Sequence, residues 1–93
     1  MNLPMVLLYS RDGCHLCDET RDEVLAMRSE LPPFELRDVD IEADERLHAA
    51  YLERIPVFEL AGEVVCELGL DPRALERALA AASALGSATG QIP

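Results

Sequence analysis

The sequence predicts an α/β fold in which a four-stranded mixed sheet is flanked by helices, in the order β-α-β-α-β-β-α. Three observations support this prediction. First, a short apolar run is followed by a segment with helical spacing. Second, a segment with strand character precedes another helical segment. Third, residues 56–68 have the pattern of a hairpin and are followed by a last helix. The 93 residues suffice for one compact domain. Strands joined by a helix should be parallel, whereas the hairpin strands should be antiparallel.

The first strand and helix occupy the N-terminal third of the chain. Residues 5–9 are a continuous apolar run ending at turn-forming residues, as is typical of a central strand buried on both faces. Small or apolar residues then recur at spacings of three and four, which predicts an amphipathic helix of about four turns. The proline pair at 32–33 ends it. The residues of this stripe are Leu16, Thr20, Val24, Met27 and Leu31.

The second strand and helix follow. Residues 34–40 alternate apolar and polar side chains, which predicts an outer strand with one face in water. Residues 42–53 are predicted to be helical, with Leu47, Ala50 and Tyr51 as a modest inner stripe.

The hairpin and the last helix complete the domain. Two strand-like stretches flank the pair Ala61 and Gly62, so residues 56–68 should form a hairpin with a tight turn. Asp71 suits the N-cap of the last helix, and Pro72 suits its first position. Leu70 and Leu75 have the spacing of a hydrophobic staple across this start. The buried stripe is predicted to contain Leu75, Ala78, Leu79, Ala82 and Leu85. We expect a domain over residues 1–85 and a flexible tail over 86–93.

Composition excludes several classes of function. The formal charge of -10 argues against binding nucleic acid, because that requires Lys and Arg to neutralise phosphates. No apolar run reaches the roughly 18 to 20 residues that span a bilayer, so no membrane partner is expected. The N-terminal segment lacks the basic region and cleavage site of a secretory signal. We therefore expect a soluble cytoplasmic protein, and the charge favours a monomer.

Two cysteines three residues apart, Cys14 and Cys17, follow the predicted central strand. The pair could be a catalytic dithiol, half of a metal site or a structural disulfide. The chain has three cysteines, and reducing cytosol disfavours permanent bridges, which weakens the structural reading. The carboxyl end of a parallel strand is where α/β folds place their sites.

The spacing of the two cysteines suits thiol chemistry. A helix starting near residues 13–15 would place Cys14 at its N-terminus, where unpaired N-H groups and the helix dipole stabilise a thiolate and lower its pKa. Cys17 would lie one turn on, with Cα atoms roughly 5 Å apart, within disulfide range. Cys14 is therefore the predicted nucleophile and Cys17 the resolving thiol. His15 either helps to lower the Cys14 pKa or points into solvent, and the charges of Asp18 and Glu19 oppose a thiolate.

The third cysteine and the histidines give no metal site. Cys66 alternates with Val64 and Leu68, so these residues should share one apolar face. Cys66 is therefore interpreted as a small core residue, with a third redox thiol as the alternative. A strong zinc signature needs a second cysteine pair or spaced histidines. His48 has no partner in the sequence pattern and is interpreted as a surface residue.

The stretch "LYSRDGCHLCDE" and the "IPV" at residues 55–57 resemble the glutaredoxin and thioredoxin superfamily, most closely its small bacterial glutaredoxin-like proteins. The resemblance covers roughly residues 5–80, and the N-terminal β-α unit of larger thioredoxins is missing. It implies a thioredoxin-like fold of glutaredoxin type. It also implies that Pro56 is cis and faces the dithiol, and that the backbone of Ile55 pairs with bound substrate.

The chain departs from that family at several positions. His15 and Leu16 stand between the cysteines, where glutaredoxins usually have Pro-Tyr and thioredoxins Gly-Pro. Arg11 matches a Lys that in glutaredoxins contacts a glutathione carboxylate. The Gly-Gly that approaches glutathione is replaced by Cys66 and Glu67, and the charge of Glu67 opposes an anionic ligand.

The predicted function is a thiol-disulfide oxidoreductase that reduces protein or glutathione mixed disulfides. Cys14 and Cys17 are its catalytic residues, and the substrate-binding candidates are Arg11, His15, Ile55 and Pro56. No bound cofactor is required, although glutathione can serve as the reductant. Two alternatives remain open: a binding module with little turnover that recognises a partner chain through the Ile55 edge, and a metal or iron-sulfur site shared between two chains.

Overall fold

The computed structural model describes residues 3–91 of the chain, with side chains described up to residue 82. The elements follow the predicted order β-α-β-α-β-β-α, which confirms the α/β fold class. The strands are β1 (Met5–Ser10), β2 (Glu35–Asp40), β3 (Val57–Leu60) and β4 (Glu63–Glu67). The helices are α1 (His15–Ala26), α2 (Glu45–Tyr51) and α3 (Pro72–Gln91).

The four strands form one mixed sheet in the order β2-β1-β3-β4. Strands β1 and β2 are parallel, from the pair Met5 and Glu35 to the pair Ser10 and Asp40. Strand β3 runs antiparallel to both β1 and β4. The helical crossover and the hairpin are therefore as predicted, and β2 is the predicted outer strand. This order brings the carboxyl end of β1 and the start of β3 to the same edge of the sheet.

The sheet buries both of its faces. On one face, β1 and β3 pack against α1 and α3, and the cluster contains Val6, Leu8, Val24, Leu31, Phe34, Phe58, Leu60, Leu75 and Leu79. On the other face a smaller cluster lies under α2, and it contains Tyr9, Cys17, Ile41, Ile55 and Val57, with Leu47 and Tyr51 packed against it. The continuous apolar run of β1 is explained by this double burial.

Helix α1 is shorter than predicted, and its buried stripe begins one residue later, at Cys17 instead of Leu16. It ends at Ala26, and a 3-10 turn over Arg28–Glu30 continues to the proline pair. Cys17 is the first residue of its buried stripe, followed by Thr20 and Val24. The prediction that Leu16 faces inward was wrong, since 42% of this residue is exposed. A helix turns about 100° per residue, so burial of Cys17 rotates its neighbour towards solvent.

A β-bulge in the hairpin changes which side chains of β4 face the core. Phe58 pairs with Cys66 and Glu59 with Val64, which leaves one extra residue in β4. Strict alternation is lost there, so the prediction that Val64 shares a buried face with Cys66 was wrong. Val64 is exposed, and Leu68 lies beyond the strand with 59% of its surface exposed. Cys66 does pack against the core cluster, as predicted.

Helix α2 is also shorter than predicted. A 3-10 turn over Ile41–Ala43 precedes it, and the Asp44 carboxylate accepts a hydrogen bond from the Arg46 N-H at 2.7 Å. This cap fixes the helix start at Glu45. Ala50, predicted to face inward, is exposed.

The start of α3 agrees with the prediction, and its end extends further. Asp71 accepts a hydrogen bond from the Ala74 N-H at 3.2 Å, and Pro72 is the first helical residue. The helix continues to Gln91, past its predicted last residue, Leu85. The side chain of Leu85 and residues 92–93 lie outside the described part of the chain, so the flexible tail over 86–93 remains a prediction. No helix in the described part is long and apolar enough to cross a membrane.

Candidate active site

Cys14 occupies the N-cap of α1, directly after the loop that leaves β1. Its sulfur accepts a hydrogen bond from the Cys17 N-H at 3.1 Å, and its own N-H donates to the Arg11 carbonyl at 3.3 Å. The sulfur thus lies where the unpaired N-H groups and positive dipole of a helix start stabilise negative charge. This is the position that the sequence predicted for a thiolate.

Cys14 and Cys17 form a disulfide with their Cα atoms 5.2 Å apart. The predicted separation of one helical turn therefore permits the bond. The two residues differ in exposure, because Cys14 is partly exposed whereas Cys17 is 0% exposed. Of these two cysteines, only Cys14 can be reached by a substrate disulfide outside the protein.

The segment before β3 lies beside this dithiol. The Ile55-Pro56 peptide bond is cis, and both residues are buried. Ile55 belongs to the same apolar cluster as Cys17, and Cys14 packs against that cluster. The Ile55 N-H donates to the Tyr51 carbonyl at 3.0 Å, so that donor is already used within the chain. A substrate that pairs with the backbone here would use the Ile55 carbonyl or displace this bond.

Arg11 and His15 flank Cys14 and are both exposed. Neither side chain forms an ion pair with any residue that the structure describes. Both side chains therefore reach solvent beside the dithiol.

Arg21 links α1 to the sheet one turn beyond Cys17, through contacts that the sequence pattern did not predict. Its guanidinium donates to Asp38 at 2.8 Å, to Asp18 at 3.2 Å and to the Ser10 hydroxyl at 3.4 Å. The hydrogen bond with Asp38 is the main reason why the pKa of Arg21 is raised. The charge of Asp18, expected to oppose the thiolate, is therefore partly offset. In the sequence, the separation of three residues between Asp18 and Arg21 is the pattern that could have indicated this ion pair on a helix.

A second arginine offsets the charge of Glu67, the last residue of β4. Arg54 binds the Glu67 carboxylate at 2.6 Å, and its guanidinium lies 5.1 Å from the ring centre of Tyr51. Glu67 was expected to repel an anionic ligand. Because both partners are partly exposed, the pairing weakens that repulsion without removing the carboxylate from solvent.

Two tyrosines and a carboxylate join the sheet to α2 beneath the dithiol. The rings of Tyr9 and Tyr51 stack with their centres 4.6 Å apart. The Tyr9 hydroxyl donates to Glu59 at 3.1 Å, and the Tyr51 hydroxyl lies 3.5 Å from its other oxygen. The pKa of Tyr9 is raised from 10.0 to about 12. The main cause is burial of the hydroxyl, and the second is its hydrogen bond with Glu59.

The raised pKa of Tyr9 predicts a loss of stability at alkaline pH. The folded protein holds this proton more tightly than the unfolded chain, so its contribution is complete below pH 10 and is lost as pH rises towards about 12. We expect the free energy of unfolding to fall across this window in the wild type and to fall less in Tyr9→Phe. Urea unfolding at several pH values measures this decline in the free energy of unfolding. Tyr51→Phe is the control, because it keeps the hydrogen bond between Tyr9 and Glu59. Equal declines in wild type and Tyr9→Phe would contradict the assignment.

Cys66 does not belong to the cluster that contains Cys14 and Cys17. It is half-buried against the core, and burial raises the pKa of its thiol, which disfavours the thiolate. Among the described residues, no group of three or more His, Cys, Asp or Glu side chains could hold a metal ion.

Comparisons with known proteins agree with this geometry. A family model described as "Glutaredoxin-like domain (DUF836)" matches residues 5–80. A solution NMR structure of a protein from Nitrosomonas europaea is similar, with a TM-score of 0.75 and 27% identity over 85% of this chain and 94% of that one. An X-ray structure of a protein from X. campestris has a TM-score of 0.64 and 34% identity over 82% of this chain and 96% of that one. No curated protein matches the chain.

Proposed function

Because the chain belongs to the glutaredoxin-like domain family, we propose that it is a thiol-disulfide oxidoreductase that reduces disulfides with Cys14 and Cys17. The observation that carries the proposal is the difference between the two sulfurs. One lies at a helix N-terminus and is partly exposed, and the other is fully buried one turn away. An attacking thiol must be accessible and ionisable, whereas a resolving thiol needs only to reach its neighbour.

The proposed reaction consists of two thiol-disulfide exchanges. The Cys14 thiolate attacks one sulfur of a substrate disulfide, which forms a mixed disulfide and releases the other substrate sulfur as a thiolate. Cys17 then loses its proton and attacks the Cys14 sulfur, which forms the internal disulfide and releases the second substrate thiolate. Both released thiolates take up protons, and the protein has lost two electrons. Two external thiols, such as those of two glutathione molecules, restore the dithiol and leave as a disulfide.

Arg11, which is exposed beside Cys14, supports a substrate that carries negative charge near its disulfide. The proposed contacts are Arg11 and His15 on the exposed side and the Ile55-Pro56 segment on the buried side. Glutathione has two carboxylates, and the pairing of Glu67 with Arg54 weakens one source of repulsion. We therefore propose glutathione mixed disulfides or protein disulfides as substrates and glutathione as a reductant, with no bound cofactor. The proposed setting is a cytoplasmic monomer.

Enzyme assays with two electron donors test this function. The reduced protein is given a small glutathione mixed disulfide, with either glutathione or a thioredoxin reductase system as the donor. In parallel, the alkylation rate of Cys14 is followed against pH. We expect turnover with at least one donor and a Cys14 pKa below the roughly 8.5 of free cysteine. Cys66→Ala is the matched control and should behave as wild type in both assays.

A Cys14 pKa at or above that of free cysteine, together with no turnover from either donor, would overturn the proposal. The binding-module alternative would then be the better interpretation. Metal content after purification under reducing conditions without chelator tests the alternative of a site shared between two chains.

A further inference from the structure

Thr20 has a buried hydroxyl that the proposed chemistry has not used. The residue is 0% exposed, and its Oγ1 atom has no hydrogen-bond partner among the described residues. Buried hydroxyls in folded proteins are nearly always paired, because leaving one unpaired costs the desolvation of that group. A threonine inside a helix often bonds to the carbonyl three or four residues earlier, yet no such bond satisfies Thr20. The oxidised protein thus leaves this hydroxyl unsatisfied.

The neighbour of Thr20 that changes chemically is Cys17. The two residues lie three positions apart on α1, and both are in its buried stripe. Residues at this spacing share one helix face with their Cβ atoms about 5 to 6 Å apart. Side chains in a helix also lean towards its N-terminus, which directs Thr20 towards the turn that holds Cys17.

Reduction changes what the Cys17 sulfur can bind. In the disulfide this sulfur carries no hydrogen and is only a weak acceptor. After two electrons and two protons are added, Cys17 is a thiol that can donate its S-H. When it loses that proton to attack Cys14, it becomes a thiolate, which is a strong acceptor. Both reduced forms offer a partner for a hydroxyl that the oxidised form leaves unpaired.

We propose that the Thr20 hydroxyl hydrogen-bonds the Cys17 sulfur when the disulfide is reduced, and so favours the dithiol over the disulfide. The inference rests on the proposed function only in taking Cys14 and Cys17 as a redox pair. Thr20 would stabilise the resolving thiolate in the second exchange. It is therefore a hydrogen-bond partner of a reacting atom, placed on the side of the pair that substrate does not reach.

Measuring the redox equilibrium tests the hydrogen bond. Wild type, Thr20→Val and Thr20→Ser are equilibrated with buffers of reduced and oxidised glutathione, and the fraction of the Cys14-Cys17 disulfide is determined. Thr20→Val keeps the volume and removes the hydroxyl, so the equilibrium constant for reduction should fall about 3- to 10-fold, as expected for one lost hydrogen bond. Thr20→Ser keeps the hydroxyl and should stay within about twofold of wild type.

A second measurement separates the hydrogen bond from a packing effect. In a Cys14→Ser, Cys66→Ala background, Cys17 stays reduced and is the remaining cysteine, so its ionisation can be followed against pH by the ultraviolet absorbance of the thiolate without a reagent that must reach the buried sulfur. Thr20→Val should raise the pH at which Cys17 ionises, and Thr20→Ser should restore it. If the valine variant does not fold, Thr20→Ala replaces it as the variant without a hydroxyl.

An unchanged redox equilibrium and an unchanged Cys17 pH profile without the hydroxyl would overturn the inference. The equilibrium can be measured whether or not the protein turns over external substrates. A failure of the proposed function, seen as no turnover of a mixed disulfide, is therefore distinct from a failure of this inference.

Discussion

Replacing Cys14 by serine is expected to lower the rate of mixed-disulfide reduction by at least about 10³-fold, because the nucleophile itself is lost. A serine hydroxyl is not ionised at neutral pH and cannot form the mixed disulfide. Cys17 cannot act as the nucleophile instead, because it is fully buried and a substrate disulfide does not reach it. Steady-state reduction of a glutathione mixed disulfide measures the effect.

Cys66→Ala is the control for this prediction, because it removes a cysteine that packs against the core outside the site. It should leave the rate close to that of wild type. If Cys14→Ser retained more than a tenth of the wild-type rate, the assignment of the nucleophile would be wrong.

Phe58→Ala is expected to lower the free energy of unfolding by about 3 to 5 kcal/mol. Phe58 is fully buried in β3, where it pairs with Leu8 of β1 and Cys66 of β4 and packs in the cluster beneath α1 and α3. Removing its ring takes away apolar burial and leaves a cavity that the sheet cannot close. A protein of this size is stable by only about 5 to 14 kcal/mol, so this single change removes a large share.

Urea unfolding of the oxidised protein measures this loss. Leu25→Ala is the matched control, because 44% of Leu25 is exposed on α1. It should change the free energy of unfolding by about 0.5 kcal/mol or less. A Phe58→Ala variant within about 1 kcal/mol of wild type would show that this cluster is not the main source of stability.

Local sequence patterns predicted most of the fold. The apolar run of β1, the turn at Ala61 and Gly62, and the cap at Asp71 each depend on neighbouring residues, so they could be read without knowing the tertiary structure. The position of Cys14 at the start of α1 followed from the same reasoning. These features also place the dithiol at the carboxyl end of the central strand.

Features that depend on contacts distant in sequence were missed or predicted wrongly. The bulge that turns Val64 away from the core is set by pairing with β3 and leaves no mark in the alternation of β4. The hydrogen bond between Tyr9 and Glu59 joins residues 50 positions apart. Thr20 was correctly placed on the buried stripe, but a pattern of small and apolar residues does not show whether a hydroxyl finds a partner.

Locating the mixed disulfide in Cys17→Ser tests the division of roles between the cysteines most directly. This variant keeps the attacking thiol and Cys66 but cannot form the internal disulfide. After incubation with a glutathione disulfide, peptide mass spectrometry identifies the residue that carries glutathione. We predict a stable adduct on Cys14, formed at a rate close to that of the first exchange in wild type. An adduct found mainly on Cys66, or no adduct on Cys14, would contradict a mechanism in which Cys14 attacks and Cys17 resolves.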